Sequence, residues 1–127
     1  MKKKHSQNLR ISFNTFIFAP DYTEYMEITF DKDYLRELYY DGKTSDKHHR
    51  YQPHIVRRYV KVVNILDSVS KVTDLYRYRA LHYEKLEGDK LGLESVRVND
   101  QYRIEFMASA EQGITICNII ELSNHYK

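Results

Sequence analysis

The chain has 127 residues, with 20 Lys and Arg against 18 Asp and Glu, 42% apolar residues and a single cysteine. This is one globular domain's worth of sequence, enough for a core without metal or disulfide staples; Cys117 cannot close an internal bridge, which points to a reducing, cytoplasmic setting. No apolar run reaches the roughly eighteen residues of a membrane span, and residues 26 to 127 hold sixteen of the bases and sixteen of the acids. That balance excludes a uniformly basic nucleic-acid coat and leaves room for a local patch.

Residues 1 to 25 read as an N-terminal extension. Lys2, Lys3 and Lys4 precede Ile11, Phe13, Phe16, Ile17 and Phe18, but Arg10, Ser12, Asn14 and Thr15 break the apolar stretch a signal peptide needs. The two readings left are an extra strand over 9 to 18 and a weakly ordered segment. The main domain is expected over 26 to 127.

Met26, Ile28 and Phe30 alternate with polar residues and predict a strand with one buried face. Asp31 then caps a predicted helix over about 32 to 40, with Phe30 and Leu35 as a hydrophobic staple and Asp41-Gly42 as its stop. After a polar loop, Pro53 starts a second helix to about Leu66, whose Ile55, Val56, Tyr59, Val60, Val62, Val63 and Leu66 form one broad apolar face. A short helix follows near 70 to 76, with Ser70 as its cap.

Downstream the period changes to two. Residues 93 to 98 and 102 to 106 alternate on either side of Asn99-Asp100, which predicts a hairpin, and Ile114, Ile116, Ile120 and Leu122 predict a last strand after a turn at 111 to 113. The sum is α+β: an N-terminal strand and helices packed on one face of a small antiparallel sheet.

The hairpin register carries chemistry. A two-residue turn would pair Val96 with Arg103 and mix the faces, whereas a three-residue turn through Gln101 pairs Val98 with Tyr102 and Val96 with Ile104. The second register sets Arg97 opposite Arg103, where two guanidinium forks can grip one phosphate. The alternative is neutralisation by Glu94, Glu105 or Asp100. On the second helix His54, Arg57, Arg58 and Lys61 share a stripe opposite the apolar face, either a backbone-tracking surface or an ordinary solvated face. His48, His49, His54 and Cys117 lack the spacing of a zinc site, and the chain has no phosphate-binding glycine loop, so neither metal nor cofactor is expected.

From Leu81 onward the chain resembles the RelE/ParE superfamily of bacterial type II toxins, in its HigB-like and YoeB-like branches. The resemblance rests on Glu84-Lys85-Leu86-Glu87-Gly88-Asp89, on Ser95 to Ile104, and on the ending Asn124-His125-Tyr126. It implies a RelE-like fold, a metal-independent endoribonuclease that cuts mRNA on the ribosome, and a cognate antitoxin partner. The site it implies is Glu84 as base, Arg103 on the phosphoryl oxygens, His125 as acid and Arg97 as a further cation. Lys85, Lys90 and Tyr126 join Arg57, Arg58 and Lys61 as RNA contacts. Glu87 departs from the lysine usual before the glycine, and Asn124 from the aromatic residue that commonly precedes the histidine. Those residue types suit the chemistry, since cleavage through the neighbouring 2′-hydroxyl needs a base, an acid and fixed positive charge. Taken singly, Glu84 reads as a loop carboxylate and His125 as a terminal residue. Two other functions stay open: inhibition of a protein target such as gyrase, and a non-catalytic RNA-binding module that stacks bases on tyrosines.

Overall fold

The computed structural model describes residues 24–124. The expected N-terminal extension up to residue 23, and the expected site residues His125 and Tyr126, lie outside them. Strands are β1 (Tyr25–Phe30), β2 (Glu84–Lys85), β3 (Glu94–Arg97), β4 (Tyr102–Glu111) and β5 (Ile114–Asn124), and the helices are α1 (Asp33–Asp41) and α2 (Pro53–Ser68). Short 3₁₀ turns occupy Lys47–His49, Val72–Arg77, Arg79–Leu81 and Gly88–Lys90.

The sheet runs in the order β1-β5-β4-β3-β2. Four of its strands are antiparallel, and β1 joins the edge parallel to β5. Parallel pairing follows from the long crossover that separates β1 from β5, in which α1 and α2 lie. One face of the sheet and the apolar sides of both helices share a single core that includes Met26, Leu35, Leu38, Tyr59, Val62, Val63, Leu66, Val96, Ile104 and Phe106. At α2 the burial of Ile55, Val56, Tyr59, Val62, Val63 and Leu66 follows the helical period read from sequence. The Tyr59 hydroxyl, fully buried, donates to the Leu35 carbonyl at 2.8 Å, which ties α2 to α1 without leaving a polar atom stranded.

The helix ends differ from expectation in detail. The N-cap of α1 is Lys32, because the Asp31 N–H continues the sheet by donating to the Ile119 carbonyl at 2.8 Å. With the cap moved on by one residue Phe30 no longer holds the staple position; its ring lies 5.6 Å from that of Tyr39. Gly42 ends the helix as expected, in the left-handed region at φ 78°, with its N–H on the Leu38 carbonyl. Near 70 to 76 the chain forms a 3₁₀ turn with Lys71 at its N-cap, and Ser70 caps nothing: its N–H and that of Lys71 both donate to the Asp74 carboxylate.

The hairpin has the register that keeps its faces separate. Val96 pairs with Ile104 and Arg97 with Arg103, and the Val98 N–H donates to the Tyr102 carbonyl at 2.9 Å. The Asn99 side chain accepts the N–H groups of Gln101 and Tyr102, so the three-residue turn is built by an Asx bond. In β5 the simple alternation fails. A bulge opposite Glu105 and Phe106 pairs Glu105 with Glu121 but Phe106 with Ile119, leaving Ile120 as the extra residue. The phase therefore flips: Cys117 and Ile119 are buried, while Ile114, Ile116 and Ile120 are only half-buried. Lys32 secures the bulge by donating to the Ile120 carbonyl at 2.7 Å.

Candidate active site

The face of the sheet turned away from the helices carries the polar residues of β2, β3, β4 and β5. Because side chains alternate along a strand, Arg97, Arg103 and Ser123 line up across one row, and Ser95, Glu105 and Glu121 across the next. The short β2, which sequence periodicity did not reveal, pairs Glu84 with Ser95 and so brings the glutamate to the end of the second row. A cleft of about 270 Å³ opens there, lined by His82, Glu84, Ser95, Arg97, Tyr102 and Arg103 with the Asn99-Asp100 turn at its rim.

Both arginines have carboxylate partners. Arg97 bonds Asp100, three residues along the hairpin turn. Arg103 donates from Nη1 to Glu84 Oε2 at 3.5 Å, and its Nε lies 3.8 Å from Glu105 Oε2. Neutralisation by Asp100 and Glu105 thus accounts for the facing like charges without a bound anion. Glu94 takes no part, because it lies on the helix-side face, where it accepts from the Tyr83 hydroxyl. The long Glu84–Arg103 contact leaves both groups free to turn toward a substrate, whereas direct hydrogen bonds of this kind are closer to 2.8 Å.

Glu105 is the feature that sequence reading placed only as one possible neutraliser. It is a carboxylate with 2% exposure, and Oε2 accepts from Lys90 Nζ at 2.7 Å and from Ser123 Oγ at 3.1 Å. The 3₁₀ turn at Gly88–Lys90 bends the loop back so that Lys90 reaches the sheet. His82, in the left-handed region at φ 45°, was also unforeseen as a lining residue; its only sequence signal is its position two residues before Glu84.

The remaining residues of the sequence-derived set are dispersed. Lys85 pairs with Glu94 in β2 and so falls on the face opposite Glu84. Arg58 is half-buried and donates from Nε to the Val98 carbonyl at 2.9 Å, which makes it a brace between α2 and the hairpin. Arg57 and Lys61 are exposed on α2, in the layer on the other side of the sheet, where they border a groove floored by Val56 and Val60. Glu87 is exposed at the start of the 3₁₀ turn and lies outside the residues lining the cleft. Among the described residues no group of three or more His, Cys, Asp and Glu side chains is arranged to hold a metal ion, and no helix is long and apolar enough to cross a membrane.

A five-stranded sheet with two helices on one face and a Glu–Arg cleft on the other defines a small α+β domain with an exposed polar site. Residues 28–119 match the family model described as RelE-like toxin of type II toxin-antitoxin system HigB. The chain belongs to this HigB-like family, the toxin components of type II toxin–antitoxin systems. It is similar to Toxin HigB-1 of Vibrio cholerae serotype O1, with 34% identity over 82 residues that cover 64% of this chain and 82% of the relative. Its fold is similar to that of the YoeB/ParE toxin from Agrobacterium tumefaciens, at 15% identity and a TM-score of 0.50 over 80% of this chain and 100% of that one. A weaker likeness, with a TM-score of 0.45 and 19% identity, is to the toxin–antitoxin complex RelBE2 of Mycobacterium tuberculosis, covering 81% of this chain and 100% of that one.

Proposed function

We propose that this toxin is a ribosome-dependent, metal-independent mRNA endonuclease of the cytoplasm, held inactive by a cognate antitoxin. The observation that carries the reading is the meeting of Glu84 and Arg103 over the cleft beside Arg97. In the proposed reaction Glu84 takes the proton of a ribose 2′-hydroxyl, whose oxygen attacks the adjacent phosphorus. The P–O5′ bond breaks and the departing 5′-oxygen receives a proton from His125. Arg103, with Arg97 beside it, holds the phosphoryl oxygens as negative charge accumulates, which a planar fork of donors does better than a point charge. The products are a 2′,3′-cyclic phosphate and a 5′-hydroxyl. Lys90 adds charge next to Arg103, and Tyr126 is assigned to the RNA from its place beside His125.

The ribosome enters because the cleft is small, about 270 Å³. Such a site offers little binding surface of its own to a single-stranded message, so orientation of the scissile phosphate has to come from the body that presents it. The antitoxin is expected to bring acidic or amphipathic structure over Arg97 and Arg103, whose charge is the complement it needs.

The test is incubation of the purified protein with ribosomes carrying a defined mRNA. Shortened message on ribosomes, with the same naked message left whole, supports the reading. Halted translation over intact transcripts would point instead to a non-catalytic inhibitor of a protein target.

A further inference from the structure

The buried carboxylate of Glu105 lies outside the three roles of base, acid and phosphate clamp, yet Lys90 from the loop and Arg103 and Ser123 from the neighbouring row all reach toward it. Lys90 Nζ and Ser123 Oγ donate to Oε2 at 2.7 and 3.1 Å, and Arg103 Nε lies 3.8 Å from the same oxygen. Arg103 Nε is itself buried and makes no hydrogen bond. Its orientation therefore depends on the charge behind it and on Glu84 in front. Ser95 and Glu121 flank Glu105 on the neighbouring strands, so the row across β3, β4 and β5 supplies no cation of its own.

A carboxylate with 2% exposure is costly to bury unless paired. Here the pairing is used twice. It draws Lys90 off the 3₁₀ turn and down onto the sheet, and it holds the Nε edge of Arg103 inward so that the Nη groups face the cleft. The loop has glutamate at 87, before Gly88, and its ammonium group arrives three residues later at Lys90. What seats that ammonium beside Arg103 is Glu105.

We propose that Glu105 is a positioning residue of the toxin's site, which orients Arg103 through Nε and anchors the Lys90 ammonium behind it. It touches no substrate. The proposal rests on the endonuclease reading for its consequence in rate, while the orientation of Arg103 can be measured without it.

The experiment compares wild type with Glu105→Met, which keeps volume and removes the acceptor, and with Glu105→Gln, which keeps an acceptor and removes the charge. In ¹⁵N-labelled protein, the Arg103 Nε–Hε should exchange with solvent at least about tenfold faster in Glu105→Met than in wild type, with Glu105→Gln between them, while the backbone spectrum keeps its dispersion. In single-turnover cleavage of ribosome-bound mRNA the maximal rate should fall about tenfold to a hundredfold, as for a displaced reacting group, with the half-saturating ribosome concentration unchanged. In an Arg103→Lys background the same substitution should cost several-fold less than in wild type, because only its effect through Lys90 remains. Folded Glu105→Met protein with unaltered Arg103 exchange overturns the proposal, as does a full additive loss in the Arg103→Lys background. If Glu105→Met fails to fold, Glu105→Gln and Lys90→Met decide by the same two readouts. Wild-type protein that leaves ribosome-bound mRNA whole would sink the endonuclease reading and leave the exchange measurement to judge Glu105 by itself.

Discussion

Arg97 and Arg103 stand directly opposite each other across the β3–β4 pair, and each is answered by a different carboxylate, Arg97 by Asp100 and Arg103 by Glu84 at 3.5 Å. The two guanidiniums thus share a row without sharing a counter-ion. A phosphate entering between them exchanges two partly exposed ion pairs for charge-assisted bonds to its own oxygens.

Arg103→Ala should abolish mRNA cleavage and leave the fold intact, because Glu105 retains Lys90 and Ser123 when the arginine is gone. Arg97→Ala should act in the same direction more weakly, its side chain being tied to the exposed Asp100 of the hairpin turn. Arg103→Lys should also be poor, since an ammonium cannot present two parallel donors. Thermal melts alongside cleavage assays check all three. Melting temperatures near wild type with undiminished cleavage by Arg103→Ala would remove the clamp.

Glu84→Gln should lower the single-turnover rate by about 10² to 10⁴, the usual worth of a positioned base, and flatten the acidic limb of the pH–rate profile. Glu87→Lys should keep or raise activity, because Glu87 lies outside the cleft lining and the change adds positive charge nearby. Cleavage of ribosome-bound mRNA by the two variants separates the carboxylates: an active Glu84→Gln beside an inactive Glu87→Lys would transfer the base to Glu87.

Alkaline pH should unfold the protein through its tyrosines. Burial pushes Tyr34 and Tyr39 up to about 12, and raises Tyr51, Tyr59 and Tyr83 further still. An unfolded tyrosine ionises near 10, so each contributes stability that is complete below pH 10 and lost as pH rises through the folded value. Melting temperature should be flat with respect to these groups from pH 7 to 9 and fall steeply from 10 to 12. Absorbance of tyrosinate should rise together with loss of circular dichroism; early ionisation of all twelve tyrosines in a folded protein would contradict it.

Gly42→Ala should destabilise by about 1 kcal/mol for a conformational reason alone. The residue sits at φ 78°, and an added Cβ there would meet nothing within 4 Å. A denaturant midpoint unchanged from wild type would show that the end of α1 re-forms around a different cap.

Much of this was legible in the sequence where one face of an element is apolar and the other is not. The α2 period and the β3–β4 register follow from burial of Val62, Val63, Val96 and Ile104, and that register is what set Arg97 against Arg103. The bulge in β5 was invisible because Ile120 is as apolar as Ile119, so composition could not say which of them turns inward. β2 was missed because two residues have no period. Glu105 looked like one more polar residue on a solvent face. Its burial depends on Lys90 arriving from a loop and Ser123 from a neighbouring strand, which are tertiary contacts that alternation does not encode. The α2 stripe shows the converse: Arg57, Arg58 and Lys61 are adjacent by helical period, yet Arg58 is spent on the Val98 carbonyl and the other two lie in the layer across the sheet from Arg103.

The most direct test of the central claim is the chemical nature of the ends left on a ribosome-bound message after treatment with the toxin. Attack by the neighbouring 2′-hydroxyl, with Glu84 as base and Arg103 on the phosphoryl oxygens, should give upstream fragments ending in a 2′,3′-cyclic phosphate and downstream fragments beginning with a 5′-hydroxyl, and none of either with Arg103→Ala. Fragments with a 3′-hydroxyl and a 5′-phosphate, or a message left whole while translation stops, would contradict it.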